Sequence, residues 1–317
     1  MTLIKEKDPN RHYNETRIPD QIIKIVKERI YPLIHINCPN DINCQQYINI
    51  PQFLSLIELK SAVFQSLSDE LIHNEEFIDI LQNNHNIIPH LTHSLIQFAS
   101  QSQFGKKTDS QEQQNQQQSE SSSFISLITS SINLIYNLIY KKNVRKAVIN
   151  TPNALHSLST LSIYKIGTHF SQELELQTFA LRSSSIWCLR RIQFWSDEST
   201  HSELINVGYA RVLVIAIGTA SGSGEEKDEE IWIGLIGISQ FFSNLNKGKQ
   251  DSFPPQPLLA HRSDEQLEEE GGNEEIDSQL INKGHQYCNI KDYANRAKGA
   301  ILNYFIEQGN PKPDWYQ

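Results

Sequence analysis

The chain has 317 residues, of which 38% are hydrophobic, and a formal net charge of −9 at pH 7. That length can bury a large core, while the negative charge argues against nucleic-acid binding over a broad surface, which needs clustered Lys and Arg. With only 14 Gly and 12 Pro, a β-sandwich with many tight turns is not expected.

Targeting and redox features indicate a reducing compartment. No apolar run is long enough to span a membrane, and the first residues lack the apolar segment of a secretory signal. The 4 cysteines are scattered, which is typical of free thiols rather than of a disulfide framework. We therefore expect a cytoplasmic or nuclear protein that makes no membrane contact.

The N-terminal part of the chain predicts helices separated by a loop. Residues 1–17 are polar, and we expect a flexible N-terminus there, followed by a single domain over residues 18–317. A helix is predicted from Pro19 to Ile30, because its apolar residues recur at helical spacing. His35–Asn49 is interpreted as a loop or short linker, and Pro51 opens the next amphipathic helix.

Three later stretches share one pattern, in which Asn or Gly precedes Leu by five positions at the head of an apolar run: 86–91, 153–158 and 208–213. Asn and Gly tolerate the left-handed backbone of a tight turn. A turn followed by an amphipathic helix, repeated along the chain, is typical of an α-solenoid. The alternative is that three unrelated helix starts occur in a plain helical bundle.

The spacing between these stretches exceeds the usual solenoid unit of about 40–47 residues, so inserted segments are expected. Residues 101–123 are rich in Gln and Ser, and their low hydrophobicity predicts disorder. Residues 247–263 contain several prolines and predict a loop. After it, Ser263 could cap a short acidic helix that Gly271 and Gly272 end.

Long helices follow these turns, and one contains the stretch Ser185-Ile-Trp-Cys-Leu-Arg-Arg-Ile192. It resembles the inner helix of armadillo repeats, in which an Ala-x-Trp-Ala-Leu-Ser-Asn-like stretch lines a concave groove. The resemblance covers approximately residues 51–245. It implies an all-α fold, a right-handed armadillo-like α-solenoid of about four to five irregular repeats with disordered insertions.

The resemblance also implies candidate groove residues. In the family, a ladder of asparagines holds an extended peptide. Asn137 falls at that position here, and in a later helix either Asn244 or Gln240 does, whereas Ser66 and Arg191 replace the asparagine in two other helices. Arg191 would repel a basic peptide. Trp187 is either a groove anchor or a core aromatic. The candidate partner-binding residues are thus Asn137, Trp187, Arg191 and Asn244.

Motifs for catalysis, cofactors and metals are not apparent. The spacing of His35, Cys38 and Cys44 comes nearest to a zinc pattern, but it lacks a close cysteine pair and a fourth ligand, which favours ordinary loop residues. His90 and His93 share a helix face, yet no cysteine or carboxylate completes a site with them. The Gly-rich stretch from 218 to 226 lacks the Lys of a phosphate-binding loop.

We therefore expect a non-catalytic scaffold or adaptor that binds a peptide or helix in a concave groove. No cofactor, metal or nucleic acid is expected, and the acidic segments 225–230 and 264–275 could contact basic segments of a protein partner. One alternative is a constitutive helical subunit or regulatory part of a larger assembly. A remote alternative is a helical enzyme without a recognisable motif.

Overall fold

A computed structural model describes residues 24, 26–39, 42–51, 53–71, 75–83, 85–103, 111–165, 171–218, 228–249, 252–282 and 289–302. Within these residues the regular structure is helical, apart from two isolated bridges, which confirms the all-α prediction. The predicted flexible segment 1–17 lies outside them. No helix in the described part of the chain is long and apolar enough to cross a membrane.

Thirteen α-helices follow a 3-10 turn at Tyr31–His35 in the described residues. They are α1 (Leu54–Leu71), α2 (Glu75–Asn83), α3 (Ile87–Gln103), α4 (Gln111–Leu138), α5 (Lys142–Asn150), α6 (Ala154–Ser162), α7 (Gln172–Phe194), α8 (Glu198–Asn206), α9 (Tyr209–Ile217), α10 (Asp228–Lys247), α11 (Pro257–Glu269), α12 (Gly272–Gln279) and α13 (Ile290–Leu302).

After α1, the helices follow one another in four sets of three within the described chain: α2–α4, α5–α7, α8–α10 and α11–α13. Helix α1 and the third helices pack side by side, with α1 against α4, α4 against α7, α7 against α10 and α10 against α13. The second helices pack in the same order, α3 on α6, α6 on α9 and α9 on α12. One large apolar cluster runs through all four sets.

Polar contacts show that the third helices run parallel. Between α1 and α4, Ser61 Oγ lies 3.0 Å from Ser130 Oγ, and near the ends of both helices Asn137 Nδ2 donates to Ser68 O at 2.9 Å. Between α4 and α7, Ser122 Oγ donates to Gln177 Oε1 at 2.8 Å, and further along both helices Arg191 lies 4.3 Å from the ring centre of Tyr136. Successive contacts thus advance in the same direction along both helices of each pair.

A residue with a left-handed backbone separates the first and second helices of each set. Its φ is 42° at Asn86, 65° at Asn153, 73° at Gly208 and 68° at Gly271. The next residue begins the second helix in every case. Asn and Gly suit this conformation because it costs most other residues steric strain. The predicted turns at 86, 153 and 208 are confirmed, and Gly271 is a fourth that the sequence pattern did not include.

The second and third helices of the third set approach closely through small residues. Gly234 and Gly237 lie on the face of α10 that meets α9, and an added Cβ at either position would lie 2.5 Å from a side-chain carbon of α9. At Gly234 this carbon is Ile217 Cγ2, and at Gly237 it is Leu213 Cδ2. These two glycines therefore allow the helices to pack at a distance that a larger residue would prevent.

The predicted insertion at 101–123 is partly helical. Residues 101–103 close α3 and residues 111–123 form the start of α4, in a stretch whose composition predicts disorder; residues 104–110 lie outside the described chain. Gln and Glu are good helix formers, and the apolar second half of α4 gives a helix onto which they can extend. Composition alone did not reveal this.

The predicted loop at 247–263 is shorter than expected. Pro257 begins α11 instead of preventing it, because a proline at the first helical position loses no hydrogen bond. Ser263 is therefore not an N-cap: it lies buried inside α11, and its Oγ donates to Leu259 O at 2.8 Å. The loop proper is confined to residues between Lys247 and Pro257.

Candidate metal centre and interaction surface

A short loop between the 3-10 turn and α1 is held in a fixed shape. Ile48 N donates to His35 O at 3.0 Å, and Asn37 N donates to Ile48 O at 2.8 Å. The Asn37 side chain also joins both ends, since its Nδ2 donates to Ile50 O at 2.8 Å and its Oδ1 accepts from Ile50 N at 2.9 Å. This loop carries Cys38 and Cys44, and His35 lies at its start as the last residue of the 3-10 turn.

Left-handed residues set the direction of both cysteines. Asn37 has φ 47° and directly precedes Cys38, and Asn43 has φ 49° and directly precedes Cys44. Asparagine is among the few non-glycine residues that adopt this conformation readily. The two turns bring the thiols toward the side chain of His35, so the loop presents three soft or borderline donor groups on one side.

Helix α3 supplies a fourth group. His90 lies in the first turn of α3, and its Nδ1 is 3.2 Å from Cys38 Sγ, while His35 Nδ1 is 3.1 Å from Cys44 Sγ. The ligand atoms of His35, Cys38, Cys44 and His90 all lie within 4.8 Å of one another. Three of these residues are buried and Cys44 is half-buried. We refer to the four as the His/Cys cluster.

Burial keeps the imidazoles neutral and the thiol of Cys38 protonated. Desolvation, followed by the neighbouring His85 and Lys60, lowers the pKa of His35 to about 4, and desolvation and His35 lower the pKa of His90 to about 4. Desolvation and the hydrogen bond with Cys44 raise the pKa of Cys38 to about 12. Neutral imidazole is the form that binds metals, whereas a thiol must lose its proton to do so.

The His/Cys cluster was not predicted from the sequence, which was interpreted as ordinary loop and helix residues at these positions. That interpretation treated the loop residues and His90 as separate groups, and it concluded that no cysteine completes a site around His90. The fold corrects this, because it brings His90 to Cys38 across 52 positions of sequence. The available signal was the pair of Asn-Cys steps in a loop that also carries His35.

A second feature lies on the third helices. Aromatic and arginine side chains on α4, α7, α10 and α13 form a row of contacts that we call the third-helix ladder, and its members are Tyr136, Trp187, Arg190, Arg191, Trp232, Tyr293 and Arg296. All are half-buried except Arg296, which is exposed. Interface hot spots are enriched in these residue types.

Contacts within the ladder join neighbouring helix sets. The guanidinium of Arg191 lies 4.3 Å from the ring centre of Tyr136 on α4. Trp187 meets Trp232 on α10 at 6.0 Å between ring centres, and Trp232 meets Tyr293 on α13 at 5.9 Å. Cation–π contacts of this kind fix the arginine head group at the surface. The ladder therefore extends across four third helices.

The candidate groove residues have different roles in the structure. Trp187 and Arg191 belong to the ladder, and Trp187 also packs on a small apolar cluster around Ile186, so its side chain contacts both the ladder and the core. The amide nitrogen of Asn137 donates to Ser68 O and to Ser68 Oγ at 2.9 and 2.8 Å. It thus joins α4 to α1. Asn244 lies half-buried on α10.

Two other charged features can be placed. Arg145 of α5 donates to Ile139 O at 3.0 Å, which puts a stabilising cation at the carboxyl end of α4. The acidic residues between 264 and 275 lie on α11 and α12, where Glu270 pairs with Arg211 at 2.7 Å. The Gly-rich stretch after Gly218 lies outside the described residues.

Comparison with protein-family models, with curated proteins and with solved structures finds no match to this chain.

Proposed function

We propose that this chain is a non-catalytic protein-interaction adaptor, built as an armadillo-like, right-handed α-solenoid, and that it binds a segment of a partner protein along its third helices. The single observation that carries the proposal is the third-helix ladder. It places partly exposed Trp, Tyr and Arg side chains on successive helices of one layer, where an extended or helical segment could contact several of them at once.

The arrangement of the helices supports the solenoid part of the proposal. In α-solenoids each unit packs mainly on its neighbours and offers one helix to a common surface. Here the third helices pack in chain order and run parallel, and each set has a left-handed turn at the same place. Asn137 spans α4 and α1 instead of lying free, so the proposed surface depends on aromatic and arginine side chains more than on an asparagine ladder.

The chemistry of the ladder favours a partner segment that carries carboxylates beside apolar residues. Arg191 and Arg296 offer charged groups, and each lies over an aromatic ring, with Arg296 5.2 Å from the centre of Tyr293. Arginine held flat in this way binds carboxylates with two parallel hydrogen bonds. A basic segment of the same partner could contact the acidic helices α11 and α12.

A constitutive subunit of a larger assembly is the second candidate. Leu258 is 80% exposed and Ile281 is 87% exposed, at the start of α11 and just after α12. Large apolar side chains at such exposure are common at interfaces between subunits when they form part of a contiguous patch. In this case the surface around α11 and α12, rather than the ladder, would contact the partner.

The proposal is tested with two double variants that change charge equally. Arg191→Ala with Arg296→Ala removes two ladder cations, while Arg211→Ala with Arg262→Ala removes two cations from α9 and α11. The tagged chains are purified from the native cell, and bound proteins are quantified by mass spectrometry. Circular dichroism confirms that both variants remain helical.

We expect at least one partner to be lost from the ladder variant and retained by the control, and its affinity for the purified ladder variant to fall at least about tenfold, since each anchor residue contributes about 1–2 kcal/mol. An identical set of partners for both variants would refute binding at the ladder. Loss from the control variant alone would support the surface on α11 and α12 instead.

A further inference from the structure

We infer that the His/Cys cluster binds one zinc ion, with His35, Cys38, Cys44 and His90 as ligands, and that this ion is structural. The donor set is two sulfurs and two imidazole nitrogens, which is a known composition of structural zinc sites. Soft thiolates with imidazole in a tetrahedral arrangement select zinc over the hard cations calcium and magnesium.

The distances fit such an ion. With Zn–S near 2.3 Å and Zn–N near 2.0–2.1 Å, ligand atoms of a tetrahedral site lie roughly 3.3–3.8 Å apart. The sulfur–nitrogen pairs Cys38–His90 and Cys44–His35 are at 3.2 and 3.1 Å, and the whole set of ligand atoms lies within 4.8 Å. Small side-chain rotations would bring the two sulfurs to about 2.3 Å and the two nitrogens to about 2.0–2.1 Å from one centre.

The surroundings of His35 resemble the outer sphere of a metal site. Its Nδ1 faces Cys44, and its Nε2 lies 2.9 Å from His85 Nδ1. A ligating histidine almost always donates its second N–H to a fixed acceptor, which sets the tautomer and the orientation of the ring. His85 provides that acceptor just before α3. The hydrogen bonds of Asn37 hold the loop, so folding brings most of the ligand groups into place before an ion binds.

The number of ligands determines the role of the ion. Four protein ligands fill the tetrahedron, so no position is left for water or substrate, and the site is closed. The ion would join the loop at 35–44 to the first turn of α3, in the first of the four helix sets. The zinc would stabilise this contact, because binding energy at a structural site is folding energy.

The experiment uses the full chain, purified under reducing conditions without chelator. Zinc content is measured by elemental mass spectrometry. The apo protein is also titrated with Co²⁺, whose visible absorption spectrum reports tetrahedral coordination by sulfur. The ligand variants are Cys44→Ser, at the half-buried position, and His90→Gln. Their controls are Cys188→Ser, a buried cysteine of α7, and His93→Gln, three residues after His90 on α3.

We expect one zinc ion per chain in the wild type and in both controls, and loss of zinc and of the cobalt spectrum in both ligand variants. A chelator should lower the melting temperature of the wild type and leave that of Cys44→Ser unchanged, because binding energy at a structural site is folding energy. Should His90→Gln fail to fold, Cys44→Ser decides.

Three results would overturn the inference: wild-type protein that neither contains zinc nor takes up cobalt, ligand variants with full zinc content, or a Cys38–Cys44 disulfide in the freshly purified chain. Any of these would leave the thiols and imidazoles as a hydrogen-bonded group. None would bear on the ladder, whose test measures partner binding, so the two proposals can fail separately.

Discussion

Replacing Gly234 by Ala should destabilise the protein more than the same change at Gly237, although both glycines lie on α10 and face α9. In the helix interior, Gly to Ala is ordinarily stabilising by about 1 kcal/mol, because alanine has the better helix propensity. The new methyl group, however, needs space, and the two sites differ in what occupies it.

At Gly234 the added Cβ would lie 2.5 Å from Ile217 Cγ2 and 3.0 Å from the backbone oxygen of Leu213. Carbon atoms in contact normally lie 3.5–4.0 Å apart, isoleucine is stiff at χ1, and a helix backbone cannot move alone. Overpacking of this kind costs about 1–3 kcal/mol. After the propensity gain, we expect a net loss of about 1 kcal/mol.

At Gly237 the nearest atoms are the terminal methyl groups of Leu213, at 2.5 and 3.2 Å. A leucine can move these atoms by rotating χ2, so the overpacking cost should approach its lower limit of about 1 kcal/mol and be offset by helix propensity. Urea unfolding followed by circular dichroism measures both variants. The close packing of α9 and α10 would be refuted by a Gly234→Ala protein that is as stable as the wild type. It would also be refuted by a Gly237→Ala protein that is less stable than Gly234→Ala.

Two further predictions concern single buried or capping side chains. Leu158 is 0% exposed within α6, so Leu158→Asp should cost about 4 kcal/mol or more of stability by leaving an unpaired charge in the core. The control His156→Asp, on the exposed face of α6, should change stability by about 0.5 kcal/mol or less. Equal melting temperatures of the two variants would contradict this prediction. Asp197 accepts from Thr200 N at 3.1 Å at the start of α8, so Asp197→Ala should cost about 1 kcal/mol near neutral pH. Hydrogen bonds from Thr200 and Ser199 lower the pKa of Asp197 from 3.8 to about 2, so this contribution should be complete above pH 3.8 and disappear as pH falls through about 2. A difference between the wild type and Asp197→Ala that does not change with pH in urea unfolding would show that the carboxylate charge has no part in the cap.

The turns show what local sequence could predict. Asn86, Asn153 and Gly208 were identified because a residue that tolerates positive φ preceded an apolar helical run, and the backbone is left-handed at all three. Gly271 has the same conformation, and Ile276 lies buried five residues later. The acidic residues around it concealed the apolar pattern, so the segment was interpreted only as a short charged helix.

The His/Cys cluster shows what local sequence could not predict. Its fourth member depends on which helix packs against the loop, and that choice is made by the core rather than by residues near His35. For a related reason, local sequence did not predict the helix over residues 111–123 of the Gln/Ser-rich segment. Its composition favours disorder in isolation, whereas in the chain its second half continues directly into the apolar part of α4, and helix extension is easier than helix nucleation.

The parallel third helices also have an electrostatic consequence. In an antiparallel bundle neighbouring helix dipoles oppose one another, but here they add, so positive partial charge collects along one edge and negative partial charge along the other. Acidic residues occupy the first turns of α7, α10 and α13. At the opposite edge, Arg145 donates to Ile139 O and Lys249 donates to Phe194 O. The carboxylates at the amino edge are therefore partly offset by the local backbone charge, and this edge is less repulsive to an acidic partner than its acidic residues imply.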